Sequence, residues 1–315
     1  GSNPRIEAPV LNARIRKRYL NAGIPVGYIG PTVDLTYPTN FLGSDPSVLQ
    51  AIAEKKHPFC KFFKSAKNPM IIVGNGLLIR DDAKALLNYI STIIKNFEVI
   101  YKGWNGFNVL HTAASRVAGL DISFLPGKNG KSAKKMLKDA SAGKMQMIWL
   151  LGADEIDTAK LKNTFVVYQG HHGDAGAHIA DIILPGAAYT EKNGIYLNFE
   201  GRVQEVRRAT FPPGEAKDDW SIIRAFSGFI GHPLSFDSHD ACRQMLFTNH
   251  PHFAEIGQLH KSRWRRIGKP GKVFNSPILP ALTEFYMTCP MSRASQTMAD
   301  TRTSRENNSK PMAAE

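Results

Sequence analysis

Cysteine is scarce: Cys60, Cys242 and Cys289 are the only three among 315 residues, and no two of them form a C-x-x-C pair. A disulfide framework, a zinc knuckle and an iron–sulfur cluster all require closely spaced thiolates, so these cysteines build none of them. Long apolar runs are missing too. The run that ends at Leu151 is typical, and it stops far short of the roughly 20 residues a membrane helix needs. Acidic residues are in deficit, 27 against 40 Lys and Arg, for a formal charge of +13. The chain starts at Gly1, and its first turns contain no secretory apolar stretch. It is therefore expected to be processed, or to begin inside a longer product.

What is present has the proportions of a globular protein, 43% hydrophobic and 21% charged, with enough chain for one large or two ordinary domains. The basic excess is concentrated late, in Lys261, Arg263, Arg265, Arg266, Lys269 and Lys272. A strand-binding nucleic-acid platform needs aromatics interleaved with cations, and this stretch has only Trp264. A solvated or protein-facing basic loop is the commoner arrangement.

Short apolar runs that end in glycine organise the first part of the chain. Residues 25–29 lead to Gly30, 70–73 to Gly74, 147–151 to Gly152, 165–168 to Gly170, and 182–184 to Gly186. Such runs suit strands buried between helical layers, with glycine at the turn that follows. Between them lie helical patterns. The clearest is Ala83, Leu86, Leu87, Ile90, Ile93 and Ile94, which share one face, with Asp81 and Asp82 at the positive end of the helix dipole. Further helices are expected over 7–20, 47–54, 109–120, 131–140 and 218–229. The alternation predicts an α/β fold with a largely parallel sheet over about residues 1–235. Residues 236–315, rich in His, Pro and basic residues, read as an extended tail, with a disordered end in the polar run 301–315.

Two places invite a chemical reading. The strand-turn Ile71–Val73 into Gly74-Asn75-Gly76 resembles the start of a dinucleotide fingerprint, but the third glycine position is Ile79 and no acidic residue closes the next strand. A plain βα turn is the better reading. Gly170-His171-His172-Gly173-Asp174, with His178 and Asp181, gathers imidazoles and carboxylates that suit a metal. Its spacing is not that of a zinc site, and its glycines predict a loop whose histidines bond main-chain groups. No spacing supports a catalytic triad, paired carboxylates or a nucleophilic cysteine. The expectation is no catalytic, cofactor-binding or metal-binding residue.

The passage Ala180-Asp181-Ile182-Ile183-Leu184-Pro185, then Glu191-Lys192-Asn193-Gly194, then Asn198-Phe199-Glu200-Gly201-Arg202 carries a family likeness. Asn193-Gly194 favours a tight reversal, with Tyr196–Phe199 leading on as extended chain. The passage resembles that of molybdopterin oxidoreductases, and still more the form in the large (75 kDa-type) iron–sulfur subunit of respiratory complex I. Gly1-Ser2-Asn3-Pro4-Arg5, Asp34-Leu35-Thr36-Tyr37, Tyr168-Gln169-Gly170-His171-His172-Gly173-Asp174, Phe285-Tyr286-Met287-Thr288 and Ser292-Arg293-Ala294-Ser295-Gln296 resemble that subunit in the same order.

The resemblance implies a molybdopterin-oxidoreductase type of domain that has lost its cofactor. Its role would be structural, in the matrix-side peripheral arm of NADH:ubiquinone oxidoreductase at the mitochondrial inner membrane. It would support the cluster-bearing N-terminal region of the same subunit and contact other peripheral-arm subunits, with the iron–sulfur clusters in that N-terminal region. The family pattern places a strand directly before G-[ST]-N-P-R. The chain is thus expected to need a partner for that strand and to be unstable alone. Phe285, Tyr286 and Met287 are expected to dock in a groove. The rival readings are a fragment of an active molybdopterin oxidoreductase, and a basic RNA- or membrane-surface module.

Overall fold

The apolar stripe that begins at Ala83 becomes a helix with one buried side. In the computed structural model, which describes residues 1–260 and 263–309 (but not the side chains of 307–309), the helix Ala83–Asn96 buries Leu86, Ile90, Ile93 and Ile94. Removing four such side chains from water contributes roughly 6–12 kcal/mol against the entropy of ordering them. They pack with Leu49 and Ile52 of the helix Ser47–Ala53 and with Val73 and Val99.

That core belongs to the first of two compact units, Gly1–Arg116 with His260–Phe285. Its strands are short; Ile100–Tyr101 runs antiparallel to Trp104–Asn105, and the other two pairs are parallel. Ile71–Val73 pairs with Phe107–Val109, and Gly27–Ile29 with Asn40–Gly43. The helix expected over 109–120 therefore begins too early. Val109 lies opposite Val73, Leu110 donates its N–H to Val73 O, and helix forms only over Arg116–Asp121.

The late basic segment completes this unit by lying along the Ala83–Asn96 helix. Ser91 Oγ donates to Ile267 O at 2.6 Å and accepts from Ile267 N at 3.0 Å, and Lys269 N donates to Lys84 O at 2.9 Å. Arg80 clamps the next stretch. It is held by both carboxylate oxygens of Asp82 and donates to the carbonyls of Phe274, Ser276 and Pro277. Beyond the clamp, Ile278 enters the core and is 1% exposed. Ile278 thus anchors the tail in this core; of the three residues expected to dock, Phe285 is 41% exposed and Tyr286 and Met287 are half-buried. Ser91→Ala removes both hydrogen bonds to Ile267 and is expected to destabilise the unit by about 1–2 kcal/mol in denaturant unfolding. Proteolysis near residue 267 should rise with it.

The second unit comprises Val117–Leu259 and the chain from Tyr286. The two units interleave along the chain, since residues 260–285 belong to the first and the chain from Tyr286 to the second. Three parallel strands, Met147–Leu151, Phe165–Gly170 and Ile182–Pro185, form the main sheet in the order of the sequence. Leu150, Val166 and Tyr168 make its core with Ala140 and Leu161. Asp181 pins the register: its Oδ2 accepts the N–H of Val166 at 2.7 Å.

The reversal expected at Asn193-Gly194 falls five residues later. Gly194–Leu197 runs antiparallel to Val203–Val206, and Asn198 Oδ1 closes the turn by accepting the N–H groups of Glu200 and Arg202, each at 3.0 Å. Nor is the tail wholly extended. Ser238 caps a helix over His239–Asn249 by accepting from Ala241 N at 3.1 Å, and a further helix spans Gln296–Ser309. Of the expected disordered end, residues 301–309 are thus helical, and residues 310–315 lie outside the described residues, as does Lys261 of the basic stretch.

Candidate functional site

In parallel α/β sheets, ligands bind beyond the carboxyl ends of the strands. The Phe165–Gly170 strand delivers His171, His172 and Asp174 to that end of the second unit. Tyr168, in the strand, donates its hydroxyl to His172 O at 3.0 Å and so fixes the loop backbone. The two rings meet edge to face, with Nδ1 of His171 2.8 Å from Nδ1 of His172. One of these nitrogens must carry the proton and the other accept it, so each is spoken for by its neighbour. The pKa of His171 is lowered by burial first, and then by His172 and Lys192, which favours its neutral form.

The acidic residues that sequence placed beside these histidines face elsewhere. Asp174 Oδ1 accepts from Ala175 N at 2.8 Å, capping the short helix Ala175–His178, while its Oδ2 accepts from Arg293 Nε at 2.5 Å. Asp181 sits at the opposite end of the sheet, on Val166 N. His178 is exposed. Among the described residues, no three His, Cys, Asp or Glu side chains are placed to hold a metal ion.

Sequence reasoning missed Arg293 as the hub of this end. Its Nη2 reaches Asp154 Oδ1 and Glu155 Oε1, both at 3.1 Å, in the loop after Leu151. Asp154 is nearly fully buried and also accepts from Gly176 N at 3.0 Å. One guanidinium thus joins the loops that follow two adjacent strands. Burial works against its charge, but Asp174 and Glu155 outweigh that and raise its pKa. The only signal in the sequence was the Ser292-Arg293-Ala294-Ser295 motif itself.

Beside the loop, Gln169 is completely buried and donates from Nε2 to Asp219 Oδ1 at 2.8 Å, and Lys192 pairs with the other oxygen of Asp219. This second cluster opens into a cavity of about 290 Å³ lined by Lys192, Glu205, Asp218, His239, Cys242 and Arg243. Arg243 is already paired with Glu205 at 2.7 Å. Burial pushes the Cys242 thiol up, away from the thiolate that a nucleophile or metal ligand requires.

Lys192, Arg243 and Arg293, the cations of these strand-end loops and of the cavity beside them, are each matched by carboxylates of the chain itself. The nearby cavity, at about 290 Å³, falls just below the range of small-molecule and cofactor pockets, roughly 300–1,000 Å³.

The other sequence candidate, in the first unit, is filled by protein. A Cβ on Gly76 would stand 1.8 Å from Leu279 O, and one on Gly74 would stand 2.4 Å from Gly1 O. These glycines admit backbone from both ends of the unit where a dinucleotide site would admit a phosphate. The helix that follows, Asn75–Leu78, has four residues only.

The sequence model for molybdopterin oxidoreductase matches residues 1–229, and that for the C-terminal region of an NADH-ubiquinone oxidoreductase subunit matches residues 261–301. The NADH-ubiquinone oxidoreductase 75 kDa subunit of Reclinomonas americana is 43% identical over 95% of this chain and 43% of its own length. The mitochondrial NADH dehydrogenase [ubiquinone] iron-sulfur protein 1 of Solanum tuberosum is 42% identical over 95% of this chain and 40% of its own. The chain therefore spans about two fifths of the length of these relatives. Acetylene hydratase from Pelobacter acetylenicus overlays on 50% of this chain and 23% of its own with a TM-score of 0.33 and 16% identity, too slight a likeness to argue from. By the match over residues 1–229 and by these relatives, the chain belongs to the molybdopterin oxidoreductase family, alongside the 75 kDa-type subunits of NADH-ubiquinone oxidoreductase.

Proposed function

We propose that this chain is a structural part of the matrix-side peripheral arm of mitochondrial NADH:ubiquinone oxidoreductase. It carries no cofactor of its own and supports the cluster-bearing region of a 75 kDa-type subunit. The observation that carries the reading is the use of Arg293. The likeness to 75 kDa-type subunits extends through the C-terminal motif that contains it, and there it ties shut the strand-end loops that a cofactor would occupy. A charge network spent on internal pairing stabilises a loop but offers nothing to a substrate. Electron transfer then takes place in neighbouring polypeptide, and the chain contributes by assembly.

Native purification through a tag on this chain tests the proposal. NADH:ubiquinone oxidoreductase activity and the other subunits of that complex should co-purify in fixed stoichiometry. Recovery of the chain free of them, or with molybdenum or tungsten bound to it, defeats the reading. In complex that assembles fully, His172→Ala should leave electron transfer within about twofold of wild type, because among the described residues the ring is bonded to its neighbour His171. A loss of tenfold or more, which is about 1.4 kcal/mol on the barrier, would place the histidine loop in the reaction.

A further inference from the structure

Residues 263–272 form a fixed cationic strap, and we infer that it is a docking surface for an acidic face of a neighbouring protein subunit. The inference rests on the subunit reading above for where the partner is found, but not for its chemistry. A run of basic residues on a mobile loop is ordinarily a solvated face. This one is not mobile in register. The backbone of Ile267 is bonded through both its N–H and its carbonyl to Ser91, and Lys269 N is bonded to Lys84 O. Gly268, at φ +77°, lies so close to the helix that a Cβ there would stand 2.3 Å from Asn88 N. Such an approach is open to glycine alone.

The charges on this frame are exposed and unmatched. Arg263, Arg265, Arg266, Lys269 and Lys272 all face solvent, as does Lys84 beneath them. Arg266 donates to the amide oxygen of Asn88 at 2.7 Å, not to a carboxylate. Among the described residues, the ion pairs of this unit are Arg5–Asp34, Lys56–Glu54 and Arg80–Asp82, and none involves the strap. Like charges held close together repel one another, and a fixed array of them is relieved by a surface of opposite sign.

The kind of partner follows from what accompanies the charges. Trp264 is 39% exposed, and its ring packs edge-on against Phe107 at 5.3 Å, so it is not a free platform for stacking bases. Ile267 within the strap is half-buried, and Val273 just after it packs against the core cluster. A membrane-binding segment would present a continuous apolar face. Arginines around a half-exposed tryptophan are instead the composition of a protein–protein interface, where the planar guanidinium meets carboxylates in bidentate pairs.

The test uses the assembled complex. Zero-length carbodiimide coupling should join Lys269 and Lys272 to Asp or Glu residues of a neighbouring subunit. The triple variant Arg263→Glu, Arg265→Glu, Lys269→Glu should incorporate at least about tenfold less than wild type at moderate ionic strength. Arg266 is left intact because it bonds Asn88, and the corresponding Gln variants, which change charge without reversing it, serve if the Glu variant does not fold. Absence of wild-type chain from the complex counts against the subunit reading. Wild-type incorporation that the charge changes do not affect, with no coupling from Lys269 or Lys272, overturns the strap inference alone. Binding of the full chain to a single-stranded RNA oligomer, or to phosphatidylcholine–cardiolipin vesicles, that the triple variant abolishes while subunit coupling is absent overturns it as well.

Discussion

Replacing Arg293 with alanine is expected to destabilise the second unit by about 3 kcal/mol. The substitution leaves Asp154, Glu155 and Asp174 facing one another with no cation between them, and Asp154 is buried. Breaking a buried pair by removing one partner costs roughly 3–5 kcal/mol, and the lower end applies because Arg293 is partly open to solvent. Denaturant unfolding should show a lower midpoint, and hydrogen exchange should quicken at 152–156 and 171–176. Arg293→Lys keeps the charge but cannot reach three carboxylates with a planar fork, so it should recover only part of the loss. A midpoint unchanged by Arg293→Ala would mean that the carboxylates rearrange freely.

The same contact sets a pH dependence. Burial works against the charge of Asp174, but Arg293 and the N–H of Ala175 outweigh it and hold the carboxyl below its ordinary value of 3.8. Because the folded-state value is the lower one, this contribution is fully present above 3.8 and fades as pH falls through the folded value. The wild-type unit should therefore lose stability in that acid range, and Arg293→Ala should flatten the loss.

Gly76→Ala is expected to cost at least about 3 kcal/mol in the first unit. The new methyl would fall 1.8 Å from Leu279 O and 2.7 Å from Gly1 O, and both obstacles are backbone. Overpacking of this kind costs roughly 1–3 kcal/mol, and displacing the 276–279 segment withdraws Ile278 from the core at a further 1.5–3 kcal/mol. Limited proteolysis should then cut near 275–285, where the wild-type chain resists. Gly119→Ala is the control: it adds a methyl to open space in the helix Arg116–Asp121 and should be neutral or slightly stabilising. If the two variants melt alike, the backbone around Gly76 gives way without cost and the close approach there does not hold the segment.

The contrast between those glycines bears on how much of the protein could be read in advance. In sequence, Gly74-Asn75-Gly76 looks like the opening of a dinucleotide fingerprint, and only Ile79 and the lack of an acidic residue after the next strand count against it. The reason for the glycines, the carbonyls of Gly1 and Leu279, lies at the far ends of the unit and has no local signature. The helix at 83–96 was legible because its periodicity is local and its buried face is its own signal. Strands Met147–Leu151, Phe165–Gly170 and Ile182–Pro185 were legible for the same reason, apolar runs ended by glycine or proline. Phe107–Val109 was not, since three residues that alternate weakly become a strand only by pairing with Ile71–Val73.

Composition alone excluded a thiolate cluster and a spanning helix, because both need residues at fixed close spacing or in long uninterrupted runs. Ordered motifs were enough to indicate the family, since colinear short likenesses do not depend on where the residues meet in space. Only the tertiary structure showed what the histidine loop is tied to. Asp174 is adjacent to the histidines in sequence, yet its partner Arg293 is 119 residues away, and Asp154 lies 139 residues from the same guanidinium. The units' boundaries were hidden likewise, because the chain that completes the first unit returns to it only after residue 259. Local patterns report the interactions a residue makes with its own turn of chain. Charge pairing, close backbone approach and unit boundaries are set between segments far apart, and no spacing rule along the chain encodes them.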